Sequence, residues 1–412
     1  MSQALHDSIA DPNATDFTNG VKMTKPILEG NLPASWYTQP QFYEFERRAI
    51  FSKQWLLTTH RLRLPEPGSY VRFEMAGFDL ILVKTKEGQI NAFHNICRHR
   101  AYPLITKDDA NQGKKSILSC GYHGWSYRLN GKLTKAPKFE ELEDFNREDY
   151  SLFEIYTHIS KVGFVWINLD ASDDPIPWDE MNAGTDEQPR LKDFPLDSYV
   201  YHRTWTTNGK YNWKLVGDNY NECYHCKASH PGITKITNLD RYSIERHSGR
   251  LEHFPPNRDD IKPEDFEYFG NGAFTYNYPN SSANLSTPYF FIMRVITEYQ
   301  TFRNPTSTQD AFQRAADFFE GIELKDYDLM NGVQGNLNSG VYVHGPLHTK
   351  REGGVLYFKK LVLQQLKDHM KLEAEPGREI WPAQRNQQVH AAVGEEENFC
   401  SAVCECARRK NG

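Results

Sequence analysis

Three things are scarce in this 412-residue chain, and each scarcity closes off a class of protein. No apolar run approaches the ~18 residues of a membrane-spanning helix. The longest, residues 162–169, is broken by Gly163 and Asn168 and is strand-sized. Positive charge is not in excess: 48 basic against 54 acidic side chains leave a formal charge of −6, whereas nucleic-acid binders usually carry a clearly basic domain. Cysteine is sparse, seven residues at 97, 120, 223, 226, 400, 404 and 406, an odd and uneven set unlike the dense framework of a small secreted protein. Reduced thiols or metal ligands are the expectation. No Gly-x-Gly-x-x-Gly follows a strand, since Gly270-Asn271-Gly272 lacks the third glycine, and there is no four-cysteine ferredoxin run. The chain therefore cannot take hydride from a nicotinamide itself. Residues 1–18 are polar and acidic, without the basic-then-apolar layout of a secretory leader. A soluble cytoplasmic protein, with neither membrane nor nucleic acid as partner, is the expectation.

What is present can build a core: 39% of residues are hydrophobic and 13% aromatic. The texture divides the chain. Residues 1–54 read as a polar lead-in ending in a helix over 33–54. Residues 55–169 are short β-like runs (70–73, 80–85, 90–96 and 163–169) punctuated by Glu87-Gly88 and Asn130-Gly131, the latter the strongest hairpin signal in the chain. Residues 170–198, rich in Asp, Pro and Asn, read as a linker. Residues 199–371 mix helical periodicity over 211–226 and 309–338 with β-like texture over 290–302 and 354–363. Residues 372–412 form a polar tail whose three cysteines match no ligand spacing. The fold class expected is α+β.

Two clusters of donors carry chemistry. Cys97-Arg98-His99 is followed, after twenty intervening residues, by Cys120-Gly121-Tyr122-His123, two clasps of one thiol and one imidazole each. Zinc sites usually pair two cysteines and then two histidines. One of each per clasp suits a diiron cluster with two thiolates on one iron and two imidazoles on the other, although zinc or chance placement competes. In the second cluster, Glu222 and His225 lie three residues apart, on neighbouring rows of a helix. His230 follows five residues after His225, on the opposite side of a continuous helix. Pro231 disfavours helix at His230, so a turn near Lys227 can bring both imidazoles to one ion. Two histidines want a carboxylate to complete a facial triad, and Glu323, Asp326 and Asp328 are candidates. Asp326 shares a helical stripe with Met330, Val333 and Leu337, while Asp328 sits ~200° round and is expected to be solvated. Cys223 and Cys226 have no redox context and read as small packing residues.

The segments Cys97-x-His99-Arg100 and Cys120-x-x-His123-Gly124-Trp125 resemble the Rieske [2Fe–2S] motif of Rieske non-haem iron oxygenases. Ala101 stands where many members have Gly, and Gly121 where many have Pro; neither is a ligand, so altered loop packing with an intact cluster is expected. The family's catalytic domains carry a carboxylate-x-x-His-x4-His segment and then an Asp eight residues before a Gln, as Asp326 and Gln334 are spaced. The resemblance implies that Cys97, His99, Cys120 and His123 hold a [2Fe–2S] cluster and that His225, His230 and Asp326 hold a mononuclear Fe(II). Glu222 is then no ligand but a bridge between a cluster histidine and an iron histidine across a subunit boundary. It further implies a β-rich Rieske domain, a catalytic domain with an antiparallel sheet over a long helix, a homotrimer, and a separate NAD(P)H-dependent flavin/iron–sulfur reductase. The chain would be the terminal oxygenase of a two-component monooxygenase.

Glu222-Cys-Tyr-His225-Cys is similar to members acting on choline, carnitine or glycine betaine. Aromatics at Tyr220, Tyr289, Phe290, Phe291 and Tyr299 could cage a trimethylammonium through cation–π attraction, but only if two or three converge on the iron. An oxygenase of aromatic acids or ethers, a Rieske electron carrier and a zinc-stabilised interaction module are the competing readings.

Overall fold

The computed structural model describes residues 30–262, 272–294 and 298–385. Expectations for Cys400, Cys404, Cys406 and Gly270-Asn271 lie outside the described residues. The helix Pro40–Glu46 starts at a proline, where a missing N–H costs nothing, and runs on as a wider-wound turn, Arg47–Phe51.

The first sheet takes strands β1 (Trp55–His60), β2 (Ser69–Met75), β3 (Phe78–Lys84), β4 (Ile90–His94) and β5 (Gln112–Lys114). A small sheet of β6 (Leu118–Ser119), β7 (Ser126–Tyr127) and β8 (Leu133–Lys135) follows. Then β9 (Glu154–Ile159) and β10 (Phe164–Asn168) complete the first sheet, antiparallel in the order β1-β10-β9-β4-β3-β2-β5. Asn130-Gly131 does turn the β7–β8 hairpin, with Gly131 at φ +79° against the Phe93 ring. The second sheet holds β11 (Val200–Thr206), β12 (Ser243–His247), β13 (Arg250–Phe254), β14 (Ala273–Asn277), β15 (Ser281–Leu285), β16 (Tyr289–Arg294) and β17 (Glu298–Arg303). Its order is β11-β17-β16-β15-β14-β13-β12, antiparallel throughout.

Period-two alternation distributes each strand between cores. On β3, Leu80 and Leu82 join the core shared with the helices, while Ile81 and Val83 face the small sheet. On β16, Tyr289, Phe291 and Met293 face the long helix Gln309–Asn338, and Phe290 and Ile292 face the other way. There they meet Trp55, Leu57, Phe164 and Trp166 of the first sheet, with Trp178, Leu191 and Phe194 from residues 170–198 packed among them. The α+β class and the antiparallel sheet over a long helix are as expected.

Three local readings need correction. Residues 354–363 are helix, part of Gly353–Ala374. Their β-branched and aromatic residues mimic a strand, but Val355, Phe358, Val362, Leu366 and His369 recur at helical spacing and form the buried face. The helix expected over 211–226 is cut: Lys214–Tyr220 ends at Asn221, and one further turn, Cys226–Ser229, follows. The polar tail begins later than residue 372. The helix runs to Ala374, Arg48 pairs with Glu373, and Arg385 donates to the Glu154 carbonyl.

Candidate metal centres

The first donor set sits on two turns of the same construction. The Cys97 amide donates to the Tyr102 carbonyl (2.9 Å), and the Ala101 amide donates back to Cys97 (3.0 Å). The Cys120 amide donates to Trp125 (2.8 Å), and Gly124 donates back to Cys120 (3.1 Å). The donor just before each closing residue takes the left-handed conformation, Ala101 at φ +56° and Gly124 at φ +75°. Ala101 therefore occupies a position that favours glycine. The turns bring both thiols inward, 2% and 3% exposed, and both imidazoles outward, their ring centroids 4.5 Å apart. Cys97 and Cys120 are free thiols. Tyr127 Oη lies 3.3 Å from Cys97 Sγ and accepts the Arg98 amide (3.1 Å), a contact the sequence reading missed because nothing in the spacing marks it. Trp125 stacks on His99 at 5.1 Å. Burial, with help from His123 and Arg100, lowers the His99 pKa and favours the neutral, ligating ring. Its Nδ1 is buried with no hydrogen-bond partner. Two adjacent soft thiols plus an orphaned imidazole nitrogen fit an iron–sulfur group.

The second donor set lies under the second sheet. His230 Nε2 is 2.9 Å and His225 Nε2 3.5 Å from the same oxygen, Asp326 Oδ1. One donor atom from each residue falls within 4.8 Å of the others, the spacing a single ion requires. The turn after Tyr220, and not a continuous helix, makes this possible, as the five-residue interval demanded. Glu222 stands behind the pair: one carboxylate oxygen meets His225 Nδ1 and the other accepts the Tyr224 and His225 amides. Burial opposes charge on His225, but the Glu222 hydrogen bond and the charges of Glu222 and Asp326 prevail and raise its pKa. The place favours a cation. Asn219, unremarked in the sequence, donates to Asp326 Oδ1 (3.1 Å). Asp328 is exposed, as its angular position implied. The stripe below Asp326 runs through Met330, Gln334 and Leu337; Val333 is 48% exposed, so the heptad-like reading erred by one residue there. Gln334 accepts the Asn212 amide (2.8 Å) and ties the long helix to the segment before Lys214.

Cys223 and Cys226 are not separate packing thiols: they form a disulfide, because the turn between the two short helices holds their Cα atoms 5.0 Å apart. Among the proposed cage aromatics, Tyr220 and Phe291 line the roughly 160 Å³ cavity that reaches His225, His230 and Asp326. Tyr289 lines a neighbouring cavity of about 230 Å³, Tyr299 stacks on Trp205, and Phe290 belongs to the core between the sheets. Tyr242, Phe274, Phe318 and Phe319, not anticipated, line the first cavity.

Comparison with known proteins agrees with this geometry. Residues 54–146 match the Rieske [2Fe-2S] domain, and residues 196–368 match the ring hydroxylating alpha subunit (catalytic domain). The carnitine monooxygenase oxygenase subunit of Acinetobacter pittii is 28% identical over 370 residues, covering 83% of this chain and 96% of the relative. The chloroplastic choline monooxygenase of Spinacia oleracea is 27% identical over 355 residues, 81% of this chain and 78% of the relative. A solved quaternary ammonium Rieske monooxygenase in complex with L-carnitine superposes with a TM-score of 0.70 at 25% identity, covering 82% of this chain and 95% of that one. Naphthalene 1,2-dioxygenase shares the fold, with a TM-score of 0.63 at 18% identity over 83% of this chain and 94% of that one.

Proposed function

We propose, for a chain that belongs to the Rieske non-haem iron oxygenases, that it is the terminal oxygenase of a two-component monooxygenase oxidising a C–H bond beside a quaternary ammonium nitrogen. Cys97, His99, Cys120 and His123 are assigned to the [2Fe–2S] cluster, and His225, His230 and Asp326 to the mononuclear iron. Held by these three residues, an iron would supply O2 activation. The protein's own contribution is orientation. Glu222 holds the His225 ring through Nδ1 and leaves Nε2 for the metal, while Asn219 steadies Asp326.

The observation that carries the substrate reading is the composition of the cavity wall. Aromatic rings and the carboxylates of Glu222, Glu323 and Asp326 line it, and no Lys or Arg does among the described residues. Such a wall attracts a cation through rings and charge. The names of the relatives point the same way.

Electrons must come from a separate NAD(P)H-dependent reductase, and the cytoplasm supplies that reductant. Tyr102 and Tyr122 beside the cluster histidines, and Tyr224 beside Glu222, are all exposed, which supports two faces meeting across subunits of a homotrimer. A solved relative is described as showing inter-subunit electron transfer. The test is O2 uptake with a surrogate reductase over choline, glycine betaine, carnitine, benzoate and anisole. Uptake with one of the ammonium compounds and coupled product is expected; uptake with benzoate or anisole alone would remove the ammonium reading and leave the oxygenase.

A further inference from the structure

We propose that Glu323 is the residue that recognises the positive charge of the substrate, a role separate from iron binding; the inference rests on the quaternary ammonium reading above. Glu323 lies one helical turn before Asp326 on Gln309–Asn338 and so shares its face of the helix. Unlike Asp326, it is outside the group of donor atoms that converge on one ion. It lines both cavities, and Phe291 and Phe319 are the other residues the two cavities share. Its carboxylate therefore stands in the wall between them, partly accessible from the cavities yet surrounded by protein.

The carboxylate is under-served. The Tyr299 hydroxyl favours its charged form, and Tyr299 is itself pinned by stacking on Trp205 at 3.9 Å. Among the described residues Glu323 makes no ion pair, whereas buried acids elsewhere in the chain do, Glu46 with Lys214 and Glu298 with Arg63. A buried carboxylate without a cation is costly. Burial, joined by the charge of Asp326 and only partly relieved by Tyr299, pushes its pKa up to about 8, so near neutral pH the carboxyl holds a proton that an ammonium entering the cavity drives off. An ammonium that carries no proton cannot donate a hydrogen bond, so charge and aromatic faces are the means left to hold it. Glu323 with Phe291 and Phe319 offers both within the cavity that reaches His225 and His230.

The experiment compares holoenzyme with Glu323→Gln and Glu323→Asp, at matched iron content. The ligands are whichever of choline, glycine betaine and carnitine supports O2 uptake in the wild type, and the neutral isostere with tert-butyl in place of trimethylammonium. Glu323→Gln should weaken binding of the ammonium ligand by about tenfold or more in calorimetric titration, since a buried charge partner is removed. Binding of the tert-butyl isostere should change by less than about twofold, and Glu323→Asp, which keeps the charge, should fall between. Equal weakening of both ligands would mean a structural role and overturn the proposal, as would wild-type ammonium affinity in Glu323→Gln. If the wild type binds no ammonium compound at all, the functional reading itself has failed, a result distinct from either.

Discussion

At the scale of single residues, the donors that lie close together in sequence were legible and the ones that depend on a folded cavity were not. Cys97, His99, Cys120 and His123 could be named because each clasp is a local turn. Asp326 could be chosen over Asp328 because helical angle is a local property. Glu323 stood among the candidates without a role, because its lack of a cationic partner among the described residues exists only once the second sheet has closed over it. The same limit hid the Cys223–Cys226 bond and the Tyr127 contact. Glu222→Gln should retain both metals and lose turnover by ~10–100-fold or more, since it disturbs the atom behind a ligand and not the ligand. Metal analysis beside O2 uptake checks this; wild-type turnover would remove Glu222 from the electron bridge. Ala101→Gly should stabilise the holoprotein by about 0.5–1 kcal/mol in urea unfolding, the left-handed strain relieved less the entropy glycine adds to the unfolded chain. An unchanged or lowered midpoint would show that the turn is unstrained.

Among the elements, Gln309–Asn338 was readable end to end because a long amphipathic period is unambiguous. Gly353–Ala374 was misread because a short apolar run of Val, Leu, Tyr and Phe does not declare its period. Its consequence is positional. A Cβ on Gly354 would overlap the backbone oxygen of Asn221, the residue before Glu222. Gly354→Ala should therefore cost ~1–3 kcal/mol of stability and lower mononuclear iron occupancy with the cluster spectrum intact. Full iron occupancy would show that the turn is positioned from elsewhere. The helix Lys214–Tyr220 is held at its start by Lys214, which is fully buried against Glu46, while Trp213 Nε1 donates to the same carboxylate (2.6 Å). Burial pushes Glu46 up and Lys214 down, each toward its neutral form. Lys214→Met should then destabilise by ~3–5 kcal/mol, and adding Glu46→Gln should recover part of the loss. Strict additivity in urea unfolding would contradict the pairing.

For the whole molecule, the two-sheet plan was inferable from the order of textures and from the family resemblance. The shared core between the sheets was not, because residues 170–198 look like a polar linker until Trp178, Leu191 and Phe194 are seen to pack there. That core and its neighbours hold neutral histidines. Burial lowers His60 and His94 to about 4 and His253 to about 3. Unfolded histidine binds a proton near pH 6.5, so the unfolded state gains protons first as pH falls. Stability from these three is present above about 6.5 and lost progressively toward pH 4. Glu323 acts with the opposite sign, gaining its proton in the folded state below about 8, but it is one group against three. The urea midpoint should fall between pH 7 and pH 5; a flat or rising midpoint would place charged partners near these rings. The assignment of two metal centres to seven named residues stands or falls on one measurement: iron and acid-labile sulfide per chain, with the reduced-state EPR spectrum, in the wild type and in His225→Ala. The wild type should hold ~3 irons and ~2 sulfides, and the variant should drop to ~2 irons with its imidazole-ligated diiron spectrum unchanged. Two irons in the wild type, or a cluster signal lost with His225, would contradict it.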